Sequence, residues 1–391
     1  MDRLVLGIAV LFCAVLRVAC YDLVDEYKGS SFFDRWDFFG NYDNLTLGDV
    51  WWLGRQSAFS QGLAYVNGAG NAILKVDNMH NVPYNEKRNS VRITTQKDYD
   101  VGSLWIIDAL HIPFGCSVWP AFWTVGPNWP QDGEIDIIEG INVMPFNQMA
   151  LHTSPGCHHP PENEQYQISQ TLLTDCSDPA GCTVLEVQEN SFYTGFAAAG
   201  GGVWATQFDV AGYAVASIWF WSRSNVPAGI AASNSTSPLD ISSWGPPTAS
   251  YPATYCNITE FFSRQKLVLD ITLCGKWAGL TEQYFPTCGS QGPTGQCYQD
   301  QVVGSGDNYN DAYFEINSIR AYTTGGPVPT AAALPAIETH RIPTEVVFSM
   351  LSPATQTERP MFFDGTTRDG FSWALVGAGL VGTLMALELC R

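Results

Sequence analysis

The stretch Gly133-Glu134-Ile135-Asp136-Ile137-Ile138-Glu139-Gly140 sets three acids among β-branched apolar residues. Such a run reads as a β-strand. In a regular strand residues i and i+2 share a face, so Glu134 and Asp136 point the same way, while Glu139 at i+5 points to the other side. One β-bulge that absorbs the extra isoleucine returns Glu139 to their side. Three carboxylates then line a single face. Like charges that close push at least one pKa upward, which is what a proton-donating acid needs. Taken alone, the pattern also fits an amphipathic strand with its acids in solvent, so the neighbouring sequence decides between the two.

Outward from this strand, short alternating runs dominate. Ala72–Val76, Ser90–Thr95, Gly102–Leu110, Ser217–Ser222 and Tyr313–Tyr322 are rich in β-branched and aromatic residues and bounded by Gly, Pro, Asn or Asp. No long segment keeps a 3.6-residue period, and 36 Gly and 23 Pro interrupt the 391 residues too often for a helical bundle. An all-β fold is predicted over residues 21–322, an antiparallel β-sandwich or jelly roll. Hydrophobic residues make up 46 % of the chain, which argues against bulk disorder. Its net charge of −19 excludes nucleic acid as a partner, since phosphate binding needs basic patches.

The two ends read differently. In residues 1–20, Arg3 precedes the apolar run Leu4–Leu16, and Val18-Ala19-Cys20 offers small residues for cleavage, the pattern of a secretory signal. Residues 323–370, with Gly-Gly-Pro, an Ala-rich patch and many Thr, read as a linker. Residues 371–391 carry the apolar run Phe371–Leu387, which fits a glycosylphosphatidylinositol attachment signal, with a plain transmembrane anchor as the other reading. Either way a membrane tether at the outer cell surface or wall is expected, with the catalytic unit a monomer. Of 11 cysteines, Cys13, Cys20 and Cys390 fall in these end segments. Eight remain (Cys116, Cys157, Cys176, Cys182, Cys256, Cys274, Cys288 and Cys297), an even number that suits disulfides in an oxidising compartment. Sequons at Asn44, Asn234 and Asn257 fit the same route.

Upstream of the acidic strand run Val118-Trp119-Pro120-Ala121-Phe122-Trp123 and Asn128-Trp129-Pro130; downstream comes Leu151-His152-Thr153. With Gly200–Phe208, Ile218–Arg223, Cys274–Gly279 and Phe314–Tyr322, these motifs resemble, in order, the family 16 glycoside hydrolases, particularly the fungal secreted endo-β-1,3(4)-glucanases or laminarinases. The resemblance covers nearly all of residues 21–322. It implies a concanavalin A-like jelly roll and endo-hydrolysis of β-glucan, with neither metal nor organic cofactor. Carried over, Glu134 matches the nucleophile, Glu139 the general acid/base and Asp136 the assisting acid between them. A retaining glycosidase needs such a pair, one carboxylate to attack the anomeric carbon and one acid to protonate the leaving oxygen. His152 matches a histidine beside the pair.

Sugar rings stack their C–H faces on indoles, which makes Trp119, Trp123, Trp129 and Trp277 candidates for substrate platforms, each with a core role as the alternative. Departures from the family pattern are Lys276, where an acid is usual, and Phe192-Tyr193 in place of a Tyr-Gly turn. A transglycosylase shares the first half-reaction, and a non-catalytic glucan-binding wall protein is the reading from another class. Against the latter stands the intact set of acids. His158-His159 lack partner carboxylates nearby in sequence and are not expected to bind metal.

Overall fold

The computed structural model describes residues 20–209, 216–233 and 238–324. All but the last residue of the expected signal segment, the expected tail and all but the first residues of the expected linker lie outside them, as does the sequon at Asn234. Two antiparallel sheets pack face to face. One runs, in spatial order, Gln170–Thr171, Cys182–Leu185, Gln148–His152, Glu134–Glu139, Val118–Val125, Lys266–Leu273, Arg92–Thr95 and Trp36–Phe38. The other runs Leu239–Asp240, Cys20–Lys28, Tyr313–Thr323, Ser103–His111, Gly202–Phe208, Ala216–Ser222 and Ala249–Tyr251, with Ala72–Lys75 and Ala64–Val66 added beside Tyr313–Thr323. The antiparallel sandwich expected from the alternating runs is the observed fold. One short ladder departs from it: Val50–Trp52 pairs with Arg88–Ser90 in parallel.

Between the sheets, Phe122, Ile135, Leu151, Leu267 and Leu269 from the first meet Trp105, Ile107, Trp204 and Phe208 from the second in one continuous core. Each such side chain contributes ~1.5–3 kcal/mol by leaving water. The second sheet is covered on its outer face as well. Leu104, Ile106 and Val203 pack there under Tyr21, Trp219, Leu239 and Trp244. That double burial explains why Gly102–Leu110 reads as a nearly unbroken apolar run.

The acidic strand carries the bulge that its spacing requires. On one side Asp136 faces Trp123 and Ile138 faces Phe122, so Ile137 is the extra residue. On the other, Asp136 faces Ala150 and Glu139 faces Gln148. A buried amide fills the irregularity. Asn147 accepts from the Glu139 N–H at 3.0 Å and donates to the Ile137 carbonyl at 2.9 Å. The flanking glycines are sterically required: Gly133 has φ +75, and a Cβ on Gly140 would lie 2.8 Å from the Phe192 ring. Tyr193 adopts φ 55, the left-handed conformation that a glycine takes at no steric cost.

All eight cysteines from Cys116 to Cys297 are paired, as Cys116–Cys288, Cys157–Cys256, Cys176–Cys182 and Cys274–Cys297.

Candidate active site

A cleft of about 750 Å³ opens on the face that carries the acids. Glu134, Asp136 and Glu139 line it, together with Trp119, Trp123, Trp129, His152 and Trp277. Every site residue singled out from the sequence is therefore in one place. Register explains the convergence. Val125, Trp123 and Ala121 stand opposite Glu134, Asp136 and Glu139 on one side, and His152, Ala150 and Gln148 on the other, so all share the cleft face.

The carboxyls are held in unlike environments. Glu134 takes a hydrogen bond from Trp129 Nε1. Burial and the adjacent Asp136 push its pKa up to about 8. Asp136 is 3 % exposed, and burial raises it to about 7. Its Oδ2 lies 3.3 Å from His152 Nε2, a charge contact without the alignment of a hydrogen bond. Glu139 accepts from Trp119 Nε1 at 2.8 Å, yet burial and the Asp136 charge hold its pKa well above the usual carboxylate range. Three acids this close cannot all ionise near neutral pH. Burial and mutual repulsion favour the protonated form at each of the three.

The four tryptophans divide by exposure. Trp129 is 57 % exposed at the cleft rim, on the loop between Gly126 and Gly133. Trp123 is buried, with the Arg92 guanidinium 5.2 Å from its ring centroid. Trp277 is buried and meets Trp119 edge-on, with centroids 5.3 Å apart. It braces Trp119 more than it offers a face of its own. Lys276 is exposed at the cleft edge.

Sequence reading missed several residues. Asp270 stands opposite Arg92 in register, and both line the cleft. Asp270 holds Trp123 Nε1 at 3.0 Å, and burial raises its pKa to about 6 even with Arg92 lowering it. Arg92 is 7 % exposed, and its Nε and Nη1 lack hydrogen-bond partners. Its guanidinium lies instead over the rings of Phe39, Trp52 and Trp123. The available signal was parity: each is a charge at the cleft-facing position of its strand. Gln148 and the loop Ser177–Ala180, closed by Cys176–Cys182, complete the opposite wall. His158 and His159 lie elsewhere. His159 is buried against Tyr251, where burial lowers its pKa to about 4. Among the described residues the group able to gather donor atoms around a cation is Glu134, Asp136 and His152, within 4.8 Å of one another, and it is the acid cluster itself.

The profile of XgeA-like catalytic GH16 domains matches residues 36–322. The chain belongs to glycoside hydrolase family 16. A probable glycosidase of Schizosaccharomyces pombe is 38 % identical over 312 residues, covering 78 % of this chain and 70 % of that protein. A probable endo-1,3(4)-beta-glucanase of Aspergillus clavatus is 38 % identical over 348 residues, 87 % of this chain and 52 % of its own length. The endo-1,3(4)-beta-glucanase xgeA of Emericella nidulans is 35 % identical over 326 residues, with 81 % and 50 % covered. This family 16 chain thus spans about half the length of the named glucanases. Among solved structures, an elongating GH family 16 beta-1,3-glucosyltransferase is 36 % identical with a TM-score of 0.69, covering 78 % of this chain and 100 % of its own. Laminarinase 16A of Phanerochaete chrysosporium, solved with beta-glucans in donor and acceptor sites, is 30 % identical with a TM-score of 0.71 over the same shares.

Proposed function

We propose that the chain is a retaining endo-β-glucanase acting on β-1,3-glucan, with mixed 1,3/1,4-linked glucan as a second substrate. The observation that carries this reading is the bulged strand that turns Glu134, Asp136 and Glu139 onto one cleft face. In the first half-reaction Glu134 attacks the anomeric carbon while Glu139 gives its proton to the departing glycosidic oxygen. In the second, Glu139 takes a proton from water, which attacks the same carbon and releases Glu134. Asp136 accepts the proton shared with Glu134 when the nucleophile needs its charge. The open face of Trp129 at the rim suits stacking against the C–H faces of a neutral sugar polymer.

A second reading has a specific support, the 36 % identity to an elongating β-1,3-glucosyltransferase. There a sugar hydroxyl replaces water in the second half-reaction. Incubation with laminarin, lichenan, cellulose and chitin, with NMR of the first-formed anomer, tests both. Shortened β-1,3-glucan products that appear first as the β-anomer support hydrolysis with retention. Products longer than the substrate favour transfer, and α-anomers contradict the mechanism. We further propose that the enzyme is secreted and tethered at the outer surface, a reading supported by four disulfides in the catalytic unit.

A further inference from the structure

Three cleft tryptophans direct their indole nitrogens at carboxylates, Trp119 to Glu139 at 2.8 Å, Trp129 to Glu134, and Trp123 to Asp270 at 3.0 Å, whereas Trp52 donates to the Ile271 carbonyl. We infer that Trp119 and Trp129 are positioning residues for the chemical step, their N–H groups fixing one oxygen of each reacting glutamate and so setting the two limbs of the enzyme's pH profile. This rests on the roles assigned above to Glu134 and Glu139.

An indole N–H only donates, so it binds a lone pair and never a carboxyl proton. Trp119 lies on the Val118–Val125 strand, on the same face as Ala121, which stands opposite Glu139. Trp277 meets it edge-on at 86°, which keeps the ring from turning. With Glu139 Oε1 accepting this bond, the protonated acid has its carbonyl there and its transferable proton on Oε2. As the proton leaves, the growing negative charge is met by a donor already in place.

Trp129 works on the other glutamate. Its loop is closed by Asn128, which donates to Asp132 Oδ2 through the backbone N–H at 2.8 Å and through Nδ2 at 2.9 Å. From there the indole reaches back to Glu134 Oε2 with most of its face still open. The bond stabilises the carboxylate against burial and against Asp136, both of which favour its protonation.

Losing either N–H raises the pKa of its partner, but the consequences separate. Glu134 must be ionised to attack, so Trp129→Phe moves the acid limb of kcat/KM to higher pH. Glu139 must be protonated to donate, so Trp119→Phe moves the alkaline limb to higher pH. A hydrogen bond to a charged group corresponds to a shift of ~1–2 pH units. Asp136 lies beside both glutamates and raises each, so its charge enters both limbs.

The test is the pH profile of kcat/KM on a laminari-oligosaccharide for the wild type, Trp119→Phe and Trp129→Phe, with melting curves alongside. One limb displaced in each variant, and a different limb in each, supports the inference. Limbs that coincide with the wild type while KM alone rises overturn it and leave both residues as platforms. Should a phenylalanine variant fail to fold, 3-benzothienylalanine at the same position replaces N–H by sulfur at constant shape, and the same two outcomes apply. A wild type with no turnover on any β-glucan overturns the assignment of the preceding section, and this inference with it. A normal wild-type profile with unmoved limbs overturns this inference alone.

Discussion

Glu134 and Glu139 are five residues apart in one strand, yet the proposed mechanism asks them to hold opposite protonation states. Their surroundings pull them apart only in part. Both are half-buried beside Asp136, and desolvation together with its charge favours the protonated form of each. This carries a stability consequence whose sign follows from linkage. A carboxyl with a folded pKa raised from 4.5 to about 8 binds its proton more tightly in the folded state than in the unfolded one. Its contribution is fully present below pH 4.5 and is lost as pH rises through 8. Removing the acid therefore relieves a penalty that builds above pH 4.5 and is complete above pH 8. Glu134→Gln is expected to be inactive and folded, and more stable than the wild type by a few kcal/mol at pH 9, discounted because the proton is shared with Asp136. Urea unfolding at pH 4 and pH 9 checks this: the two proteins should nearly coincide at pH 4. A difference independent of pH would mean that the carboxyl is not held protonated by its site.

At the scale of the element, the bulge turns an i+5 spacing into a shared face. Its existence was legible, because Glu-x-Asp-x-x-Glu in an apolar strand cannot gather its acids any other way. What supports it was not. Asn147 sits in a connecting segment with no periodicity to mark it, and its amide meets the irregular backbone only after the strands have paired. Arg92 and Asp270 were hidden for a related reason: their meaning is cross-strand, and register is not written in either strand alone. The division of labour among the tryptophans was equally closed to sequence reading, since Trp123 and Trp277 are near-buried while Trp129 is open. Asn147→Ala deletes both bulge contacts. It should lower kcat on glucan by about two orders of magnitude, the scale of the ~1–3 kcal/mol left by each lost buried bond. An aryl glycoside with a good leaving group, which needs little protonation, should be affected much less, because the displaced group is the acid. Steady-state kinetics on both substrates checks it, and equal losses would place the fault at the nucleophile.

Across the molecule, one sheet carries the cleft and the other packs behind it. The cleft sheet lines the cleft with its outward face, whereas the second sheet is buried on both faces, by the central core and by the cover of Tyr21, Trp219 and Trp244. Disulfides tie the cleft margins to this body. Cys274–Cys297 pins the turn that carries Lys276 and Trp277, Cys176–Cys182 closes the opposite wall, and Cys116–Cys288 joins segments 172 residues apart. Alternation along the strands announced the sandwich, and the even number of cysteines announced the bridges, but their pairing depends on contacts made only in the folded chain. All of this converges on one claim, that Glu134 forms a covalent bond to the sugar. A 2-deoxy-2-fluoro laminaribiosyl fluoride slows the second half-reaction more than the first, so the glycosyl-enzyme accumulates. Peptide mass spectrometry of the trapped protein should place the fluoro sugar on Glu134. A label on Asp136 or Glu139, or an inactivation that leaves no sugar attached, would contradict the account.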